Sequence, residues 1–146
     1  MTHSATSETI AGDLERIVIA SVAVTARALA DVSPELTLVQ WRVLVLVDQH
    51  GGGIGVGPIA AALGTKIAAV SRLIGRLRAR GLVETRRGES DARLVLVSLT
   101  PKGEELRTRV VRRRRAELNV ALQQLLLQDQ AARTVDLLAD ALERLT

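Results

Sequence analysis

The sequence predicts a mainly helical fold that carries one small β-hairpin, and three observations lead there. Trp41 is the only aromatic residue among 146. The core must therefore come from Leu, Val, Ile and Ala, a set that suits helices packed on helices. Apolar residues recur at helical spacing through most of the chain, as at Val135, Leu138, Leu142 and Leu145. Between Leu82 and Val97 that period is lost, and two short β-prone runs flank a polar tip.

The first helix opens near Ser7 and Glu8 and carries Ile10, Leu14, Ile17, Val18, Val22 and Leu29 before Pro34 ends it. Its middle, Ile17 to Ala26, is apolar almost all round, broken only by Ser21 and Thr25. A helix of that kind needs cover on more than one side, which predicts that a second copy supplies part of it. Thr37 suits the N-cap of the next helix, which runs through Trp41, Leu44, Val45 and Val47 to His50. Gly51, Gly52 and Gly53 break it. A short helix follows from Pro58 to Leu63, with proline favourable in the first turn. Gly64 and Thr65 connect it to a stronger helix, Lys66 to Arg80, stopped by Gly81. Two helices joined by a short Gly-containing turn form a helix-turn-helix layout. The hairpin pairs Leu82–Arg86 with Arg93–Val97 around Gly88, Glu89, Ser90 and Asp91. Two long helices close the chain, Pro101 to about Gln128 and Gln130 to Leu145.

Composition excludes several classes of function. Apolar residues make up 47% and charged ones 25%, which is ordinary for a globular chain. The absence of cysteine removes disulfides, catalytic thiols, thiol redox switches and cysteine-held metals. His3 and His50 are too few for a histidine-built metal centre, and His50 at a helix end suits a C-terminal cap interaction. Paired carboxylates, a Ser–His–Asp set and a phosphate-cradling loop are all missing, and Gly51–Gly53 lacks the lysine a P-loop needs. The expectation is no enzyme, no cofactor and no metal. The longest apolar stretch is half of what a membrane span needs, and the start lacks a secretion pattern. A soluble cytoplasmic protein with no membrane partner is expected.

Charge is unevenly placed. Residues 1–65 hold 3 basic and 6 acidic residues, a net of −3, and residues 116–146 hold 2 and 5, again −3. Residues 66–115 hold 15 basic and 5 acidic residues, a net of +10. A basic block between mildly acidic ends is the footprint of a polyanion-binding surface. Arginine-rich coding explains 18 arginines among 20 basic residues, but not their clustering.

On a helical wheel of residues 66–80, Ile67, Val70, Ile74 and Leu77 share one side, expected to face the core. Thr65, Ala68, Ala69, Arg72 and Arg76 fall opposite, with Lys66 at the helix start and Ser71 on the flank. This face suits a recognition helix. Small residues near its start permit close approach to base edges, and the two arginines pair with guanine edges or phosphates. Ser71 suits donation to a phosphate. Arg86, Arg87 and Arg93 cluster around the hairpin tip, where Asp91 is placed to orient Arg93. A basic loop of this kind lies along the backbone or inserts an arginine into the minor groove. A solvated amphipathic helix and an ordinary charged hairpin are the plainer readings of the same residues.

Residues Leu36–Thr37, Gln40, Pro58–Ile59–Ala60, Val70–Ser71–Arg72, Leu77, Gly81–Leu82–Val83, Asp91-x-Arg93 and Leu99–Thr100-x-x-Gly103 stand in order along the chain. In that order and spacing they resemble the winged helix-turn-helix of the MarR family of bacterial transcription regulators. The resemblance spans Leu36 to Gly103. It implies a homodimer whose recognition helices, with Ser71 and Arg72, enter successive major grooves of double-stranded DNA. The wings, with Asp91 and Arg93, reach the adjacent minor grooves. The chain departs from many members at Ala92 and Thr85, where they carry arginine, and its lack of cysteine excludes their thiol-based oxidant sensing. The implied division is a dimerisation helix over residues 1–35, a DNA-binding domain over 36–100 and dimerisation helices over 101–146.

Trp41 lies on an apolar helix face and reads as core, close to where the family forms its effector cavity. The run Arg112–Arg115 covers a whole helical circumference, so its members cannot share one ligand; a solvated stretch with some ion pairs is expected. The expected function is sequence-specific transcription regulation, as a repressor on a pseudo-palindromic operator, with release by a small lipophilic or phenolic effector as the family implies. A winged helix that binds a protein partner without a specific DNA target is the alternative, and a metal-responsive repressor on a related fold is disfavoured by the scarcity of ligands.

Overall fold

A computed structural model describes residues 2–51, 53–88 and 94–123. In chain order these form helix α1 (Thr2–Val32), helix α2 (Leu38–Gln49), strand β1 (Ile54–Gly55), helix α3 (Val56–Ala62), helix α4 (Ile67–Ala79), strands β2 (Val83–Arg87) and β3 (Val95–Leu99), and helix α5 (Pro101–Gln123). The fold is mainly helical with a small antiparallel sheet, as expected. The second terminal helix, Gln130–Leu145, lies outside the described residues.

Helix α1 starts ahead of the Ser7 signal, because Thr2–Thr6 contain neither glycine nor proline to stop it. Thr37 does cap α2, and it does so reciprocally. Gln40 N donates to Thr37 Oγ1 at 3.2 Å, and Thr37 N donates to Gln40 Oε1 at 3.0 Å. At the other end, His50 Nδ1 lies 2.8 Å from the Leu46 carbonyl, a cap contact rather than a ligand position. Helix α3 begins two residues before Pro58, because extended Gly55 supplies the N-cap. Pro58 still falls in the first turn, where no intrahelical donor is lost.

The turn between α3 and α4 is set by Gly64, whose φ of +59° only glycine adopts at low cost. Gly64 N donates to Ala61 O and Thr65 N to Ala60 O, closing a Schellman motif. Helix α4 ends by the same pair of bonds, Gly81 N to Arg78 O and Leu82 N to Leu77 O. The chain bends by 109° from α3 to α4, within the range of a helix-turn-helix.

The hairpin pairs Val83 with Leu99 through Arg87 with Val95 without a bulge, and Gly88 N donates to Leu94 O at its outer end. A third strand escaped the sequence reading. The two residues of β1 pair with Leu96 and Val97, giving the order β1-β3-β2. One core joins the end of α1 (Ala28, Leu29) to α2, α3, α4, the sheet and the start of α5 (Leu106, Val110). Further along, Arg27 and Arg113 both pair with Glu117, at 3.2 and 3.1 Å, and Arg113 reaches Asp31 at 2.7 Å. Those four charges tie α1 to α5. Among the described residues no single helix is long and apolar enough to cross a membrane.

Candidate nucleic-acid interface

Helix α4 is held by Val70, Ile74 and Leu77, all buried against the core. Its opposite side is presented to solvent: Thr65, Lys66, Ala68, Ser71, Arg72 and Arg76 are exposed, and Ala69 is half-buried. Lys66, Arg72 and Arg76 form no ion pair or side-chain hydrogen bond among the described residues. Among the described residues no partner neutralises their charge. The N-cap residue Lys66 is extended and offers no side-chain acceptor to the first turn, so backbone donors there also face outward.

Two expectations for this helix change. Ile67 is 59% exposed instead of buried. As the first residue of α4 it stands at the tip of the helix, at the edge of the buried stripe that Val70 begins. Ser71 Oγ donates at 3.0 Å to the Ile67 carbonyl, so its proton is committed to its own helix. Toward a phosphate, it becomes a donor only after turning to another rotamer.

The hairpin packs beside α4, and Arg78 Nη1 bridges to Thr85 Oγ1 at 3.4 Å. Thr85 thus accepts from an arginine of the adjacent helix. Arg86 and Arg87 are both exposed but lie on opposite faces of β2, since successive strand residues alternate. Arg87 shares the face of Val83 and Thr85, which packs on the body of the domain; Arg86 shares the outer face with Glu84. Asp91 and Arg93 lie outside the described residues.

The C-terminal end of α4 is anchored to the start of the domain. Arg80 Nη2 meets Glu35 Oε1 at 3.0 Å and Ser33 Oγ at 3.2 Å, while Lys102 Nζ donates to the Arg80 carbonyl at 2.8 Å. Sequence reading assigned these residues no role; only the packing of α1, α4 and α5 brings them together.

Trp41 is buried, at 5% exposure. It lines a groove of about 390 Å³ between α1 and α2, together with Ile17, Val22, Leu38, Arg42 and Arg114. The arginine run splits as its helical geometry requires. Arg113 enters the α1–α5 ion-pair network, Arg114 faces the Trp41 groove, and Arg112 and Arg115 are exposed beside a different face of α5.

Comparison with known proteins agrees with this geometry. Residues 35–94 match the model of the MarR family. The HTH-type transcriptional regulator YfiV of Bacillus subtilis is 31% identical over 86 residues, 56% of this chain and 53% of that protein. The chain thus spans about half the length of that curated relative. Among solved structures, RV1404 from Mycobacterium tuberculosis superposes with a TM-score of 0.81 at 26% identity, covering 92% of each chain. A mutant MarR from E. coli gives 0.67 at 27% identity, covering 88% of this chain and 96% of that one. CouR from Rhodococcus jostii, solved with bound p-coumaroyl-CoA, gives 0.70 at 24% identity, covering 95% and 92%.

Proposed function

The chain is a winged helix-turn-helix protein of the MarR family, and from that premise we propose that it represses transcription as a homodimer on a pseudo-palindromic operator. The observation that carries this reading is the solvent face of α4. Lys66, Arg72 and Arg76 stand exposed, without a pairing partner among the described residues, beside small residues on a helix held from behind by its core face. Such a surface offers charge to phosphates and a fork to guanine. In this reading Thr65, Lys66, Ala68, Ala69, Ser71, Arg72 and Arg76 meet the major groove. Arg86, Arg87, Asp91 and Arg93 supply the wing contacts.

The division of labour follows residues 1–35 and 101–146 for dimerisation and 36–100 for DNA. Support comes from α1, where Ile17, Val18, Ile19 and Val22 are each about half exposed or more. In this reading a second copy covers them, and binding both half-sites requires the two recognition helices to stand about 34 Å apart, one duplex turn. Steric exclusion of polymerase then accounts for repression. The Trp41 groove is the effector site in this scheme. Its apolar walls suit a lipophilic body, and Arg42 and Arg114, neither paired with a carboxylate among the described residues, suit an anionic end.

Selection of bound duplexes from a random-sequence library at near-physiological salt tests the proposal. Enrichment of an inverted repeat with half-sites one turn apart supports it. Weak binding without sequence preference, at any salt, refutes it in favour of a protein-binding winged helix.

A further inference from the structure

Ile67 is the one large apolar side chain of α4 that is left exposed, and it stands at the tip of the helix on the most basic part of the chain. No packing contact among the described residues accounts for it. It is 59% exposed, it lies outside the buried core of the described residues, and a β-branched residue adds no helix propensity over alanine. The Cα–Cβ bond of a helical residue tilts toward the N-terminus, so a side chain at the first position overhangs the end of its helix. Ile67 therefore projects over the Gly64–Lys66 turn. Its neighbours Thr65 and Ala68 are too short to screen it.

Resting on the DNA-binding reading above, we infer that Ile67 is a specificity-determining residue that recognises the C5-methyl group of a thymine in each half-site. In a helix-turn-helix complex the N-terminal residues of the recognition helix meet the base edges. The thymine methyl is the only apolar group on the major-groove edge, and an aliphatic side chain is its natural complement. A lysine or arginine at this tip would read charge or an acceptor pair; an isoleucine reads the methyl. Lys66 and Arg72, without a pairing partner among the described residues, hold the phosphates and bases that bring the tip into register.

The test replaces each thymine of the selected duplex in turn by deoxyuridine, which removes only the methyl. Affinities are compared for the wild-type chain, Ile67→Ala and Ile67→Val. At one symmetry-related position the wild type is expected to bind about fourfold more weakly per half-site, the equivalent of one buried methyl. Ile67→Ala should be insensitive there, and Ile67→Val should keep most of the sensitivity. Because Ile67 is exposed, circular dichroism and the melting temperature of both variants should match the wild type. Indifference of the wild type to every replacement overturns the inference, as does an alanine variant that keeps the full sensitivity. Either result leaves the regulator reading intact. Failure to select any duplex removes both.

Discussion

The backbone of α5 at Gly103 lies so close to β2's approach that a Cβ at position 103 would sit 2.0 Å from the Leu82 carbonyl oxygen. Backbone cannot yield as a flexible side chain can, so the helix and the strand entry would have to separate. Thr100 reinforces the same junction, accepting from Gly103 N at 3.1 Å and donating to the Gly81 carbonyl. Gly103→Ala is expected to destabilise the protein by about 1–3 kcal/mol, the usual range for overpacking, despite alanine's better helix propensity. Gly75→Ala is the matched control. It has open space around the new methyl and should stabilise by up to about 1 kcal/mol. Urea midpoints at constant slope would distinguish the two; a neutral Gly103→Ala would show that the junction slides freely.

Thr37 and Gln40 cap α2 as one unit. Thr37→Ala should cost about 1 kcal/mol, Thr37→Ser almost nothing, and the pair Thr37→Ala with Gln40→Ala less than the two separately. An additive double variant in denaturant titration would contradict the coupling.

Binding to the selected duplex should weaken steeply and linearly in log affinity against log salt. Arg72→Ala should lose about 1–3 kcal/mol of discrimination between correct and incorrect sequences. Arg93→Ala should weaken binding to all sequences and lower the salt slope by about 1, as a phosphate contact does. Fluorescence anisotropy over a salt series reads each effect. Unchanged operator affinity in both variants would remove these residues from the site.

The wild-type chain should sediment as a dimer at low micromolar concentration. Ile19→Lys, placing a charge where 63% of the side chain is uncovered in one copy, should shift it toward monomer without loss of helicity. A monomeric wild type would overturn the assignment of α1.

Trp41 is the only fluorophore of its kind in the protein, and its burial predicts a blue-shifted emission that acrylamide quenches weakly. An aromatic carboxylate bound in the groove should change that emission. The change should be lost when Arg42 and Arg114 are both replaced by alanine. A response that persists in the double variant would place the ligand elsewhere.

Much of this architecture is legible in residues that dictate local geometry. Thr37 marks a helix start, Gly64 and Gly81 mark helix ends, and Val70, Ile74 and Leu77 mark the buried stripe of α4. The misreadings share a cause: pattern reports direction around an axis, not position along it. Ile67 keeps the spacing of the buried stripe but stands at the tip of the helix, and only the assembled domain shows that the core stops short of it. The strand β1 was missed because two residues carry no alternation to detect; they are a strand solely because β3 lies alongside. Arg80, Glu35 and Lys102 are far apart in sequence, and no local rule connects them. The division of Arg112–Arg115 among several surroundings, by contrast, follows directly from helical geometry.

The order β1-β3-β2 leaves the sheet with two open borders, and each is defended by a different means. One border is only two residues long, too brief to template a foreign strand. The other, β2, is five residues long but carries Glu84, Arg86 and Arg87, charged side chains that disfavour burial of this edge under a further strand. The arginines of the wing therefore guard against fibre-like stacking as well as offering charge outward. Replacing them by valine or threonine in search of weaker operator binding would remove that guard, and loss of affinity in such variants would have to be separated from loss of solubility.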